Sequence, residues 1–107
     1  MERNIKPEDF AALAQDALVL DVRRKEVYDA SNEIIAGAIW KDPAQVEQWS
    51  AEMPREQSII VYCVYGHQIS NGVLDRLHES GFANARLIEG GIEALKVIGG
   101  KMVAKSS

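Results

Sequence analysis

The sequence predicts an α/β fold: a mainly parallel central sheet with helices on both faces. Three observations carry that expectation. Apolar runs rich in strand formers recur at Leu18–Val22, Ile59–Tyr62 and Ala85–Ile88, and each leads into a segment of helical periodicity. Runs that are apolar at successive positions suit strands buried on both faces, as parallel strands are. The 107 residues allow one domain, expected over 1–107 with a loose tail at about 101–107.

Taken in order, Lys6-Pro7-Glu8-Asp9 opens a helix, with proline at the first helical position and acids in the first turn. Phe10, Leu13, Ala14 and Ala17 form its apolar stripe. Leu18–Val22 is a buried strand, and Arg24 to Ala30 is a short helix bearing Val27 and Tyr28. Ile35-Ala36-Gly37-Ala38-Ile39-Trp40 turns into a second, short strand. Asp42-Pro43 pairs an N-cap with a first-position proline. Val46, Trp49 and Met53 continue that helix face until Pro54 stops it. Ile59–Tyr62 is the clearest strand and runs into Cys63-Val64-Tyr65-Gly66-His67-Gln68. A helix beginning near Ser70 follows, apolar at Ile69, Val73, Leu74 and Leu77, and polar at Asn71, Asp75, Arg76 and Glu79. Gly81 can take the left-handed turn that ends it, with Phe82 packing back on Leu77. Ala85–Ile88 is the third apolar strand, then Gly90-Gly91 and a helix through Ile98 that Gly99-Gly100 closes.

Composition narrows the function. A content of 47% hydrophobic and 26% charged residues argues against disorder, and a net charge of −4 argues against a nucleic-acid partner. The longest apolar runs, such as Ile59 to Val64, are too short to cross a bilayer, and no signal peptide opens the chain. The expected location is therefore cytoplasmic, where a lone thiol stays reduced. One cysteine excludes an internal disulfide, a CxxC redox pair and a cysteine-rich zinc knot. Cys63, His67 and His78 lack paired ligand spacing, so no metal site is expected. Gly90-Gly91 lacks the remaining residues of a nucleotide-binding loop. Trp40, Trp49, Tyr62 and Phe82 read as core or partly buried aromatics, whereas Tyr65 falls in a loop and is expected to be exposed.

In open parallel sheets ligands bind beyond the carboxyl ends of the strands. Three strands end there in polar or reactive residues: Asp21 and Arg23, then Cys63, then Glu89. Cys63 is followed by a short loop and a helix, a combination that forms an anion cradle. Loop amides can turn inward, and the helix N-terminus adds partial positive charge. Both stabilise a thiolate, the nucleophilic form of cysteine. Ordinary readings stand beside these. A lone cysteine on an apolar strand is also typical of inert core. Asp21 and Arg23 either face the site or pair to fix the strand end. Glu89 braces the cleft or its turn, and His67 is either a solvated loop residue or a part-time cation.

Four pieces in order then carry a resemblance. They are Leu20-Asp21-Val22-Arg23 with Glu26-Val27-Tyr28, Gly37-Ala38-Ile39, Ile60-Val61-Tyr62-Cys63 with its loop, and Leu87-Ile88-Glu89-Gly90-Gly91-Ile92-Glu93-Ala94. Together they resemble a single-domain rhodanese, a thiosulfate-type sulfurtransferase module. The resemblance implies a rhodanese-like fold and a persulfide shuttle without a cofactor. Cys63 would be the nucleophile, Val64, Tyr65, Gly66, His67 and Gln68 the loop wrapping the persulfide, and Arg23 the arginine near the pocket mouth. Asp21, Ser70 and Glu89 would support it. The implied partners are a small anionic sulfur donor, such as thiosulfate, and a thiol, protein or cyanide acceptor. Phosphatases and arsenate reductases of this fold need arginine at position 69, where this chain has Ile69. The sulfurtransferase loop often ends in arginine at position 68, where this chain has Gln68. That departure suits a low-molecular-weight persulfide or a partner protein's persulfide as donor. It also raises the alternative of a non-catalytic, partner-binding rhodanese-homology module.

Overall fold

In the computed structural model, which describes residues 3–65 and 68–105, the segment Ile59–Tyr62 (β5) sets the architecture. All four of its side chains are buried, so it must be covered on both faces and paired on both edges. The strands are Asn4–Ile5 (β1), Leu18–Asp21 (β2), Glu33–Ile35 (β3), Ile39–Trp40 (β4), β5, Ala85–Ile88 (β6) and Met102–Ala104 (β7). Five of them form a sheet in the order β1-β6-β5-β2-β4, and every pairing in it is parallel. In register, Asp21 lies beside Tyr62 and Val61 beside Leu87. The expected α/β fold with a parallel central sheet is therefore the observed one.

The helices are Phe10–Ala14 (α1), Lys25–Ala30 (α2), Val46–Ser50 (α3), Gln68–Glu79 (α4) and Gly91–Val97 (α5). Strand alternation divides the core between them. Ile59, Val61, Leu20 and Leu87 pack with Val46 of α3, Val73, Leu74 and Leu77 of α4, and Phe82. Ile60, Tyr62, Val19 and Ile88 pack with Phe10 of α1 and Ile92 and Leu95 of α5. None of the described helices is long and apolar enough to cross a membrane.

Local signals explain the element ends. The two proline-initiated helices both start as 3₁₀ turns, Pro7–Asp9 and Pro43–Gln45, before α1 and α3. The Asp42 side chain accepts a hydrogen bond from the Ala44 amide, as an N-cap does. After α4, Gly81 adopts φ +96° and the Phe82 amide donates to the Leu77 carbonyl at 2.9 Å, with Phe82 fully buried.

One expectation is corrected. Residues 102–104, read as part of a loose tail, form β7 and pair antiparallel with β3. The Lys101 carbonyl accepts from the Ala36 amide, and the Lys105 amide donates to the Asn32 carbonyl, which extends that pairing. Met102 also packs against the face of the core that holds Ile35 and Leu95.

Candidate active site

All strands of the central sheet point the same way, so β2, β5 and β6 deliver their carboxyl ends to one edge. Cys63 follows β5 directly and is 6% exposed. Its Sγ lies 3.2 Å from Ser70 Oγ. Ser70 is fully buried and sits in the first turn of α4, where backbone amides lack intrahelical acceptors. A thiol donates its proton to that hydroxyl. Once the sulfur is an anion, the hydroxyl can rotate and donate instead.

A second helix fixes the backbone here. The amides of Ile92 and Glu93, in the first turn of α5, donate to the carbonyls of Cys63 and Val64 at 3.0 and 3.1 Å. A trans peptide holds each carbonyl opposite the next N–H, so the Val64 and Tyr65 amides are turned away from α5. Gly91 permits this approach. Its φ is +66°, and a Cβ there would lie 2.4 Å from the Cys63 oxygen and 2.5 Å from the Val64 oxygen. Gly91 is thus a packing device at the site, a role the sequence reading did not give it.

Beside Cys63 runs a buried polar network. The Arg23 guanidinium binds Asp21 through Nε, at 3.0 and 2.9 Å to its two oxygens, and through Nη2 at 2.6 Å. Nη2 also donates to the Glu33 carbonyl, and the Tyr62 hydroxyl donates to Asp21 at 3.0 Å while accepting from the Ile35 amide. Burial alone would lower the pKa of Arg23, but hydrogen bonding and attraction to Asp21 together raise it. Burial first, then the Asp21 charge, push the Tyr62 hydroxyl well up, which keeps it a donor. Trp40 donates to the Arg23 carbonyl and stacks on Tyr28, with 5.1 Å between ring centroids.

Cys63 opens on a cleft of about 520 Å³ lined by Arg23, Arg24, Val27, Cys63, Val64, Tyr65, Gln68 and Ile69. The structure thus brings Arg23, Val64, Tyr65 and Gln68 together with the thiol, along with Ile69 at the position weighed for a phosphatase arginine, and adds Arg24 and Val27, which the sequence reading did not place there. Of the two readings of Arg23, the pairing role describes its guanidinium: the residue is 3% exposed and its charge is met by Asp21. Tyr65 is exposed, as expected for a loop aromatic. Glu89 does not line this cleft. Its side chain is exposed, and its amide extends the pairing with β1 by donating to Ile5. Gly66 and His67 lie outside the described residues. The rim is largely apolar, and only the part contributed by the loop after Cys63 is legible locally, because Arg23, Arg24 and Val27 come from a distant stretch of the chain.

Comparisons with known proteins agree with this geometry. A family model described as the rhodanese-like domain matches residues 6–97. Thiosulfate sulfurtransferase GlpE of Coxiella burnetii is 32% identical over 82 residues, spanning 77% of this chain and 74% of the relative. Among solved structures, a rhodanese-related protein from Thermoplasma volcanium superposes with a TM-score of 0.82 at 24% identity, covering 95% of this chain and 98% of that one. A rhodanese-like domain of an Anabaena sp. protein gives a TM-score of 0.80 at 23% identity, covering 98% of this chain and 81% of that one. These last two likenesses speak for the fold.

Proposed function

Since this chain belongs to the rhodanese-like domain family, we propose that it is a sulfurtransferase carrying sulfur as a persulfide on Cys63. The carrying observation is the placement of Cys63: at the end of a buried strand, against the Ser70 hydroxyl in the first turn of α4, on the wall of an open cleft. The Cys63 thiolate attacks the outer sulfur of the donor. With thiosulfate, a new S–S bond forms on Cys63, the sulfur–sulfur bond of the donor breaks, and sulfite leaves with the electron pair. An acceptor thiolate then attacks the outer sulfur of the Cys63 persulfide and regenerates the Cys63 thiolate; with cyanide the product is thiocyanate. The Ser70 hydroxyl and the amides of Val64 and Tyr65 are the donors assigned to the sulfur anion. Asp21, Tyr62 and Arg23 position the strand end rather than touching the substrate. The donor is a small anionic sulfur compound, the acceptor a thiol, and the compartment the reducing cytoplasm.

Incubation with thiosulfate should add the mass of one sulfur atom to the intact protein, removable by reductant. The Cys63→Ser variant should gain none. Sulfur transfer to cyanide by Cys63→Ser at the parent rate would refute the assignment. Gln68, uncharged and on the cleft wall, favours the second reading, a partner-binding module without turnover. A thiol with ordinary alkylation kinetics that takes sulfur from no donor would select that reading. Ile69 on the same wall offers no charge to an oxyanion, so aryl phosphate hydrolysis and arsenate reduction are not expected.

A further inference from the structure

The Cys63 cleft has a neighbour. A second cavity of about 420 Å³ shares Arg24 and Ile69 with it and extends to Lys25, Glu26, Asp42 and Ala44. Arg24 is exposed and forms no ion pair among the described residues, whereas Arg23 is neutralised by Asp21 and Lys25 pairs with Asp29. The chain thus places Arg24, without an ion-pair partner among the described residues, where the thiol's cleft meets the side cavity. The charges beyond it are mixed: Lys25 is basic, Glu26 and Asp42 acidic. An inorganic donor such as thiosulfate reaches only the region around the sulfur and leaves the side cavity unused. Each of the two spaces, about 420 and 520 Å³, is of a size that takes an organic ligand, typically about 300–1,000 Å³.

We infer that the sulfur partner of Cys63 is an amino-acid-type persulfide or thiol whose remote end lies in the side cavity, its carboxylate on Arg24 and its ammonium facing Asp42 and Glu26. The inference rests on the persulfide reading of Cys63 and names the substrate class of that site. Arg24 is then the residue that determines specificity. In the loading step the Cys63 thiolate attacks the outer sulfur of R–S–SH. The bond between Cys63 and that sulfur forms as the R–S bond to it breaks, the proton stays on the transferred sulfur, and R–S⁻ leaves with the electron pair.

Unreactive thioethers separate recognition from chemistry. S-methylcysteine carries both charges, 3-(methylthio)propionate only the carboxylate, and 2-(methylthio)ethanol neither. Titrations followed by amide NMR should show S-methylcysteine perturbing residues 24–26 and 42–44. Arg24→Ala should weaken both carboxylate ligands by about tenfold or more, as for a hydrogen bond to a charged group, and Arg24→Lys should restore part of this. Asp42→Asn keeps a side chain suited to the N-cap and removes its charge, so it should weaken S-methylcysteine alone. In sulfur transfer, Arg24→Ala should lower the kcat/KM ratio of cysteine persulfide to 2-mercaptoethanol persulfide by a similar factor. The inference is overturned if the parent protein binds none of the charged thioethers, if Arg24→Ala leaves their affinity unchanged, or if it weakens all three equally. Persulfide formation on Cys63 together with any of these results would leave the sulfurtransferase reading intact. Arg24-dependent binding with no sulfur taken up from any donor would support the recognition and refute the chemistry.

Discussion

Replacing Gly91 with alanine would put a methyl carbon where two backbone oxygens already are. The added Cβ would sit 2.4 Å from the Cys63 oxygen, 2.5 Å from the Val64 oxygen and 2.7 Å from the Val64 carbonyl carbon, and none of these belongs to a side chain that can rotate away. The first turn of α5 and the Cys63–Val64 segment would have to separate, breaking the hydrogen bonds from Ile92 and Glu93. Two hydrogen bonds at about 1 kcal/mol each, plus about 1–2 kcal/mol for a non-glycine residue at positive φ, give about 3–4 kcal/mol. That is a large share of the roughly 5–15 kcal/mol by which a domain is stable, yet it leaves a folded population to assay. Gly99 supplies the control: its φ is +77° and nothing lies within 4 Å of an added Cβ. Gly99→Ala should cost only the backbone part, about 1–2 kcal/mol. Urea unfolding of both variants measures the difference, and iodoacetamide labelling in native buffer should show altered Cys63 reactivity for Gly91→Ala alone. Equal destabilisation by the two substitutions would refute the close-approach argument.

Three further outcomes follow from the same geometry. Ser70→Ala removes the hydroxyl 3.2 Å from Cys63 Sγ and should slow alkylation of Cys63 at neutral pH by about tenfold or more, the worth of a hydrogen bond to a charged group; an unchanged rate would mean the hydroxyl does not assist the thiolate. Tyr62→Phe takes a donor from Asp21 and an acceptor from the Ile35 amide, and should cost about 1–3 kcal/mol in urea unfolding at neutral pH. Because the native hydroxyl titrates above its unfolded value of about 10, its contribution is complete below that pH and is lost as pH rises further; alkaline stability should therefore fall less steeply in Tyr62→Phe, and parallel profiles would contradict the assignment. Gly72 lies inside α4 with no heavy atom within 4 Å of an added Cβ, so Gly72→Ala should raise stability by about 0.5–1 kcal/mol, seen as a higher urea midpoint.

The parts of the fold that were legible in the sequence are those whose signal is local. β5 is long enough for its apolar run to be recognised, and the Asp42 cap and the Gly81–Phe82 turn depend on residues a few positions apart. Strands of two or three residues carry no usable period. β1 and β3 went unrecognised, and β7 was read as a loose end, because only their partners reveal them. The same distinction runs through the site. Cys63 was legible as a strand-end thiol before a helix, but the function of Gly91 depends on carbonyls far away in the chain. Arg23 admitted two readings until burial and the Asp21 distances were known. Glu89 follows a strand that ends at the site's edge, yet its side chain is exposed and its amide serves the pairing with β1.

The grip of α5 on the Cys63 and Val64 carbonyls bears on biosynthesis. The cysteine leaves the ribosome well before β6 and α5, and domains fold as units during synthesis. Until the Ile92 and Glu93 amides arrive, the Cys63 and Val64 carbonyls lack the donors that hold them in the complete domain. On the sulfurtransferase reading proposed above, the Cys63 site is thus assembled only when α5 docks, and a product truncated before α5 would lack it.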